Sequence, residues 1–284
     1  MPIEIKHIAV IGAGTMGQGI AQVCASAGYT VMLYDVQPDL PQTALSQIQK
    51  NLTNLVDKGK LDASRRDEVM SRIEIAGDFR QLEADLVIEA VIEKLEIKQK
   101  IFAELEKINA MDSILASNTS SIPITQIASV LRRPERFVGL HFFNPAPVMK
   151  LVEIIKGVAT SDAVVDALRS FSERIGKVAV MAQDSPGFIV NRVARHYYVE
   201  SLRLLEEGAA SVETIDKLMR ESGFRMGPFE LMDLIGVDTN FSVTKSMYHA
   251  FHEDSKFRPS RIQQQKVDAG HHGRKSGKGF YVYP

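Results

Sequence analysis

Cysteine is nearly absent: Cys24 is the only one in 284 residues. One thiol cannot close an intrachain disulfide or build a cysteine-based zinc site, and such sparing use fits a reducing compartment, so a cytoplasmic location is expected. Neither sign of charge is in excess, with 34 Lys and Arg against 35 Asp and Glu. That balance excludes a global field that would draw the chain to nucleic acid or to an anionic membrane, and any anionic ligand has to be held locally. Long apolar runs are missing too. The stretch from Ile8 to Tyr34 carries no charge and follows Lys6, as a signal peptide or membrane span would. Five glycines (Gly12, Gly14, Gly17, Gly19, Gly28) and the amides Gln18 and Gln22 interrupt it, so a strand, a turn and a helix suit it better. No internal repeat or low-complexity segment stands out.

The chain has the length of two domains. His7-Ile-Ala-Val-Ile11 is short, rich in branched residues and closed by glycines, the pattern of a parallel strand buried on both faces. Thr15 to Ala27 suits a helix packed closely on a sheet, Gly28 is placed to end it, and Thr30 to Tyr34 reads as a second strand. From Pro38 to about Arg72 the texture is helical and polar with Gly59 in the middle, an insertion of two helices. Alternation resumes with strand Leu86–Glu89, helix Lys94–Asn109, strand Ile114–Ala116, a short helix from Pro123, strand Arg136–Phe143, strand Leu151–Ile155, helix Asp162–Ile175 and a strand over Val178–Met181. Beyond Asp184-Ser-Pro-Gly187 only helical segments follow, near 188–207, 211–221, 228–235, 237–252 and 259–269. The expectation is an α/β fold. An N-terminal, mostly parallel Rossmann-type sheet with a helical insertion occupies 1–184, and an all-α C-terminal domain occupies 185–284.

Gly12-Ala-Gly-Thr-Met-Gly17 matches G-x-G-x-x-G, which is weak alone. Here it follows a strand, opens a helix and is answered by an acid, Asp35, at the end of the next strand. Gly12 permits the tight turn, Gly14 removes a side chain where a pyrophosphate must approach the backbone, and Gly17 lets helix meet strand, with Thr15 and Met16 counted in the same site. The helix N-terminus offers N–H groups and a favourable dipole to the phosphates. Asp35 can accept from both adenine-ribose hydroxyls and would repel the extra phosphate of NADP. No arginine follows it in Val36-Gln37-Pro38, so NAD is the expected cofactor. The competing reading is a structural glycine turn beside an ordinary surface Asp.

Two ionisable residues sit inside apolar, strand-like runs: His141 in Phe137-Val-Gly-Leu-His-Phe-Phe143 and Glu153 in Leu151-Val-Glu-Ile-Ile155. A buried unpaired carboxylate is costly, so Glu153 needs a cation or a cleft. The turn-forming Asn144-Pro-Ala-Pro147 between the runs can bring the two together, which makes a His-Glu pair the economical inference. A carboxylate can fix the imidazole tautomer and stabilise the imidazolium, and next to a nicotinamide that chemistry is alcohol oxidation without a metal. The bland alternative is a core histidine with a backbone partner and an edge-strand glutamate.

Taken in order, six motifs resemble the 3-hydroxyacyl-CoA dehydrogenases, including the 3-hydroxybutyryl-CoA dehydrogenases, over essentially the whole chain. They are Gly12-Ala-Gly-Thr-Met-Gly17, Ser117-Asn-Thr-Ser-Ser121, His141-Phe-Phe-Asn-Pro145, Asp184-Ser-Pro-Gly-Phe-Ile-Val-Asn-Arg192, Gly227-Pro-Phe-Glu230 and Gly273-Arg-Lys-Ser-Gly-Lys-Gly-Phe-Tyr281. The resemblance implies an NAD-dependent interconversion of (3S)-3-hydroxyacyl-CoA, short chain such as 3-hydroxybutyryl-CoA, and 3-ketoacyl-CoA. His141 is then base or acid, Glu153 orients it, Ser120 hydrogen-bonds the substrate oxygen and Asn191, from the helical domain, reaches the substrate. Asn144 holds His141 or the nicotinamide region, and Glu93 and Lys98 lie near the nicotinamide ribose. An acyl-CoA partner and a homodimer through the helical domain are implied as well.

Each carried-over residue has a plainer reading. Ser120 can cap the helix that Pro123 starts, Asn191 can be a polar surface residue, and Lys98 and Glu93 can belong to a solvated helical face. Lys50, Asn54 and Lys58, four apart, share a face of the inserted helix and can approach CoA phosphates or simply be solvated. The glycine-rich tail is expected to pack as structure. Rival functions are a 3-hydroxyadipyl-CoA-type dehydrogenase, a dehydrogenase of free hydroxy acids, and a non-catalytic NAD-binding structural protein.

Overall fold

Strand β1 (His7–Ile11) buries every residue after the first, which is why an unbroken branched run forms it. Helix α1 (Thr15–Ser26) lays Gly17, Gly19, Ile20, Ala21 and Cys24 against the sheet, and β2 (Thr30–Tyr34) follows. The polar insertion folds as α2 (Leu40–Asp57) and α3 (Ala63–Ser71), turning through Gly59 at φ 64°. A three-residue strand, β3 (Ile73–Ile75), then pairs with β2, Val31 opposite Ile73. It was not anticipated, because three residues with an exposed Ile75 carry no periodicity; β2 recruits them.

Next come β4 (Leu86–Glu89), α4 (Leu95–Ile108), β5 (Ile114–Ser117), α5 (Ile124–Ala128), β6 (Phe137–Phe142), β7 (Leu151–Lys156), α6 (Asp162–Arg174) and β8 (Val178–Gln183). The eight strands form one sheet in the order β3-β2-β1-β4-β5-β6-β7-β8. All neighbours are parallel except β6 and β7, which a short connection turns antiparallel. Strands β4, β5 and β6 are buried along their whole length. Each fully buried Val, Leu, Ile or Phe contributes roughly 1.5–3 kcal/mol. Helices cover both faces, and the order leaves β1 and β4 adjacent where the winding reverses, the place at which open α/β sheets bind ligands.

The computed structural model describes residues 3–284. One compact unit ends at Ser185 and the other begins at Pro186. The second is helical: α7 (Val190–Glu206), α8 (Val212–Glu221), α9 (Pro228–Ile235), α10 (Val237–Ala250) and α11 (Arg261–Asp268). Tyr198, Leu202, Ile215, Phe229 and Met232 form a core within it. Two buried acids tie its motifs down. Asp216 accepts from the N–H groups of Phe229 and Glu230 and from the Tyr281 hydroxyl, while Asp233 accepts from the N–H groups of Phe280 and Tyr281 and from the Tyr283 hydroxyl. The glycine-rich tail therefore packs as structure: a Cβ on Gly279 would stand 2.0 Å from Asp233 Oδ1. Among the described residues no helix is long and apolar enough to cross a membrane.

Candidate active site

The glycine turn between β1 and α1 has two kinds of glycine. Gly12 has φ +97°, and a Cβ on it would sit 2.5 Å from the Ala90 carbonyl oxygen; on Gly17 it would sit 1.6 Å from the Gly12 carbonyl oxygen. Both are required by the fold itself. Gly14 is different, because a Cβ there would meet no protein atom within 4 Å. Nothing among the described residues explains its missing side chain, and an approaching ligand would. It is also the N-cap of α1, with no side-chain cap bond, so the dipole end of the helix faces that space. Asp35, half-buried beyond β2, accepts from Ala13 N–H at 2.8 Å and from Gln37 N–H at 3.0 Å, one bond per carboxylate oxygen. Each oxygen keeps acceptor capacity for a ribose hydroxyl. The turn, the helix start and the acid fit a dinucleotide.

His141 and Glu153 stand directly opposite each other on antiparallel β6 and β7. Their side chains share one face of the sheet, and Nδ1 lies 2.8 Å from Glu153 Oε2. Both are buried, at 6% and 1% exposure, which answers the cost of the lone carboxylate: its partner is the imidazole. The Phe143 ring packs against the imidazole at 4.5 Å between centroids. Asn144 is exposed on the connection between the two strands, and Lys177 braces that connection by donating to the carbonyl oxygens of Ala146 and Met149.

Beyond β5 the Thr119–Ser121 run folds around Glu93. Glu93 Oε1 accepts from Thr119 Oγ1 at 2.6 Å, from Ser120 N–H at 2.9 Å and from the Ser120 hydroxyl at 3.3 Å. Lys98 Nζ lies 2.6 Å from Glu89 Oε1 and 3.2 Å from Glu93 Oε2. Burial alone would raise the Glu93 pKa, but the Lys98 charge and the bonds from Thr119 and Ser120 outweigh it and hold the carboxyl below its ordinary range.

This geometry replaces two plainer readings. Lys98 is not on a solvated face, being 1% exposed and paired with Glu89 and Glu93. Ser120 does not cap α5: the N–H groups of Ile124 and Thr125 are taken by Asp184, each at 2.7 Å. Lys50, Asn54 and Lys58 are all exposed. Asn191 lies in the first turn of α7, in the second unit.

Two further residues belong to the site. Asn118 Oδ1 accepts from Phe142 N–H at 2.8 Å and so ties the serine-rich loop to the strand residue beside His141. Glu89, fully buried, anchors Lys98 and accepts from Ser117 Oγ at 2.6 Å. An acid ending the apolar run Leu-Val-Ile-Glu, with a lysine in the helix that follows, was the available signal for Glu89; Asn118 offered none beyond its motif. The first unit's groups gather at the carboxyl ends of β1, β2, β4, β5 and β6, with Glu153 opposite His141 on antiparallel β7. Two open hollows of about 680 and 840 Å³ lie elsewhere, the larger along the starts of strands near His7, Asp85, Ser113 and Arg136, and neither is lined by a residue of the site. The chemistry belongs at the carboxyl edge.

The family model described as 3-hydroxyacyl-CoA dehydrogenase, NAD binding domain, matches residues 7–185, and that for the 3-hydroxyacyl-CoA dehydrogenase C-terminal domain matches 187–283. An Escherichia coli K12 protein named 3-hydroxyadipyl-CoA dehydrogenase is 48% identical over 99% of this chain, which spans 60% of that relative's length. A 3-hydroxybutyryl-CoA dehydrogenase of Bradyrhizobium diazoefficiens is 43% identical, with 100% of this chain and 97% of the relative covered. The crystal structure of a (S)-3-hydroxybutyryl-CoA dehydrogenase from Ralstonia eutropha superposes with a TM-score of 0.94 at 40% identity, covering 99% of this chain and 100% of that one. A glycine turn shaped for a dinucleotide, a buried His-Glu pair at the same sheet edge and matches along both units have one explanation: the chain belongs to the 3-hydroxyacyl-CoA dehydrogenase family and holds both its NAD-binding and its C-terminal domain.

Proposed function

We propose that the chain interconverts short-chain (3S)-3-hydroxyacyl-CoA, such as 3-hydroxybutyryl-CoA, and 3-ketoacyl-CoA, with His141 as the group that moves the proton. The observation that carries this reading is the 2.8 Å contact between His141 Nδ1 and Glu153 inside an NAD-binding domain. A carboxylate accepts only, so the paired nitrogen carries hydrogen and Nε2 holds the lone pair. In oxidation Nε2 takes the proton of the 3-hydroxyl and the Glu153 charge stabilises the imidazolium; in reduction the same nitrogen returns it. Bound NAD supplies the acceptor for the hydride that leaves C3. The Ser120 hydroxyl hydrogen-bonds the 3-oxygen, steadied by Glu93 from the other side. Asn144 holds the nicotinamide end, and Asp35 the adenine ribose.

A dicarboxylic substrate is the second reading, favoured by the E. coli relative named for 3-hydroxyadipyl-CoA. Absorbance at the NADH band with acetoacetyl-CoA tests the reaction; a silent assay with this and every other 3-ketoacyl-CoA would end the proposal. Comparing kcat/KM across chain lengths and one dicarboxylic thioester separates the two substrates, and a free hydroxy acid preferred over its thioester would reject both.

A further inference from the structure

Glu89 closes β4 in register with Ile11 of β1 and Ser117 of β5, at 0% exposure. Its carboxylate takes three donors: Lys98 Nζ at 2.6 Å, Ser117 Oγ at 2.6 Å and Val91 N–H at 2.7 Å. A buried charge pair survives only when its remaining hydrogen-bonding capacity is met in this way. Lys98, at 1% exposure, then reaches the second carboxylate, Glu93, at the longer distance of 3.2 Å. Two carboxylates share one ammonium, so the ion-paired cluster carries one surplus negative charge. Of the three side chains only Glu93 reaches the surface, with 35% of its side chain exposed, and the surplus therefore faces outward there. The cluster adjoins the glycine turn, since Ala90, next after Glu89, is the residue a Cβ on Gly12 would strike.

We propose that Glu89 is a positioning residue that shares Lys98 with Glu93 and so leaves the cluster one surplus negative charge facing outward at Glu93, favouring the oxidised cofactor, whose nicotinamide is cationic, over the neutral reduced one. The inference rests on the reading above that Glu93 lies by the nicotinamide ribose. Without Glu89 the Lys98 ammonium neutralises Glu93 and the preference disappears. Removing Glu89 and Lys98 together restores one negative charge although every bond of the ion pair is gone.

The test is the dissociation constant of the full chain for NAD⁺ and for NADH, measured separately by calorimetry without substrate. Glu89→Gln should raise the ratio of the NAD⁺ constant to the NADH constant by about 3- to 10-fold, the size of one unit charge screened at such a site. The double variant Glu89→Gln/Lys98→Met should return it to within about twofold of the parent. A purely structural Glu89 makes the opposite forecast: both cofactor forms weaken equally, or the double variant departs further than the single, and either result overturns the proposal. If Glu89→Gln does not fold, the double variant alone decides, because a ratio far from the parent's contradicts the charge account. Glu93→Gln separates the two levels of inference. If it alters neither constant, the nicotinamide does not lie there, and the site reading fails with the proposal. If it shifts the ratio while Glu89→Gln does not, the site reading stands and Glu89 has no such role.

Discussion

The geometry of His141 and Glu153 leaves little freedom: they are cross-strand partners, buried, with Nδ1 and Oε2 2.8 Å apart. Proton transfer by a placed side chain supplies about 10²–10⁴-fold, so His141→Ala should lower kcat by that order while NAD affinity, measured by fluorescence titration, stays near the parent value. Wild-type turnover in that variant would remove the histidine from the mechanism. Glu153→Gln keeps a hydrogen-bond acceptor but loses the charge, so turnover should drop and the pH–rate profile should move; an unmoved profile means that the pairing is incidental. At this scale the sequence was informative because a polar residue inside an apolar strand is expensive. His141 and Glu153 announced themselves by that cost. Glu89 sits at a strand end, where an acid is ordinary, so its apolar run and the following lysine are a weaker signal, and its full burial against Lys98 comes from the fold.

At the level of elements, the turn from β1 into α1 holds within six residues two glycines that the fold requires and one that it does not. Gly17→Ala puts a methyl 1.6 Å from the Gly12 carbonyl oxygen and should cost at least about 1–3 kcal/mol, read as a lower melting temperature. Gly14 has φ −70°, ordinary for alanine, and open space around its Cβ position. Gly14→Ala should leave the melt within about 0.5 kcal/mol of the parent and weaken NAD binding. If both variants melt alike and bind alike, the division is wrong. The helices and most strands were legible from periodicity and punctuation. β3 was not, since its three residues become a strand only by pairing with β2. The roles of Asp184 and Lys177 were also hidden, because α5 and the β6–β7 connection reach them only through folding.

For the whole molecule, acid should act on the first unit through Glu93. Its folded pKa is depressed, so the stability it contributes is present above the ordinary carboxylate value and is lost as pH falls through the folded one. Glu93→Gln should therefore flatten the acid limb of a stability-against-pH curve, and an identical limb would contradict the assignment. The second unit exposes Leu218, Phe224, Leu234 and Ile235 at 60, 50, 50 and 43%. So many large apolar side chains suit burial against another copy, and we propose a homodimer through this unit. Sedimentation should give twice the chain mass and Leu218→Lys/Phe224→Lys the single mass; a monomeric parent at micromolar concentration would dismiss the dimer.

The sequence by itself determined the alternation of elements, the glycine turn of the NAD-binding domain and the two residues of the buried His-Glu pair, because periodicity, glycine placement and the cost of buried charge all act locally along the chain. Only the tertiary structure decided which acids share Lys98, what holds the serine-rich loop and which glycine of the turn has open space at its Cβ position. Those depend on strand order and register, which bring together residues far apart in the chain, and no local pattern encodes that distance.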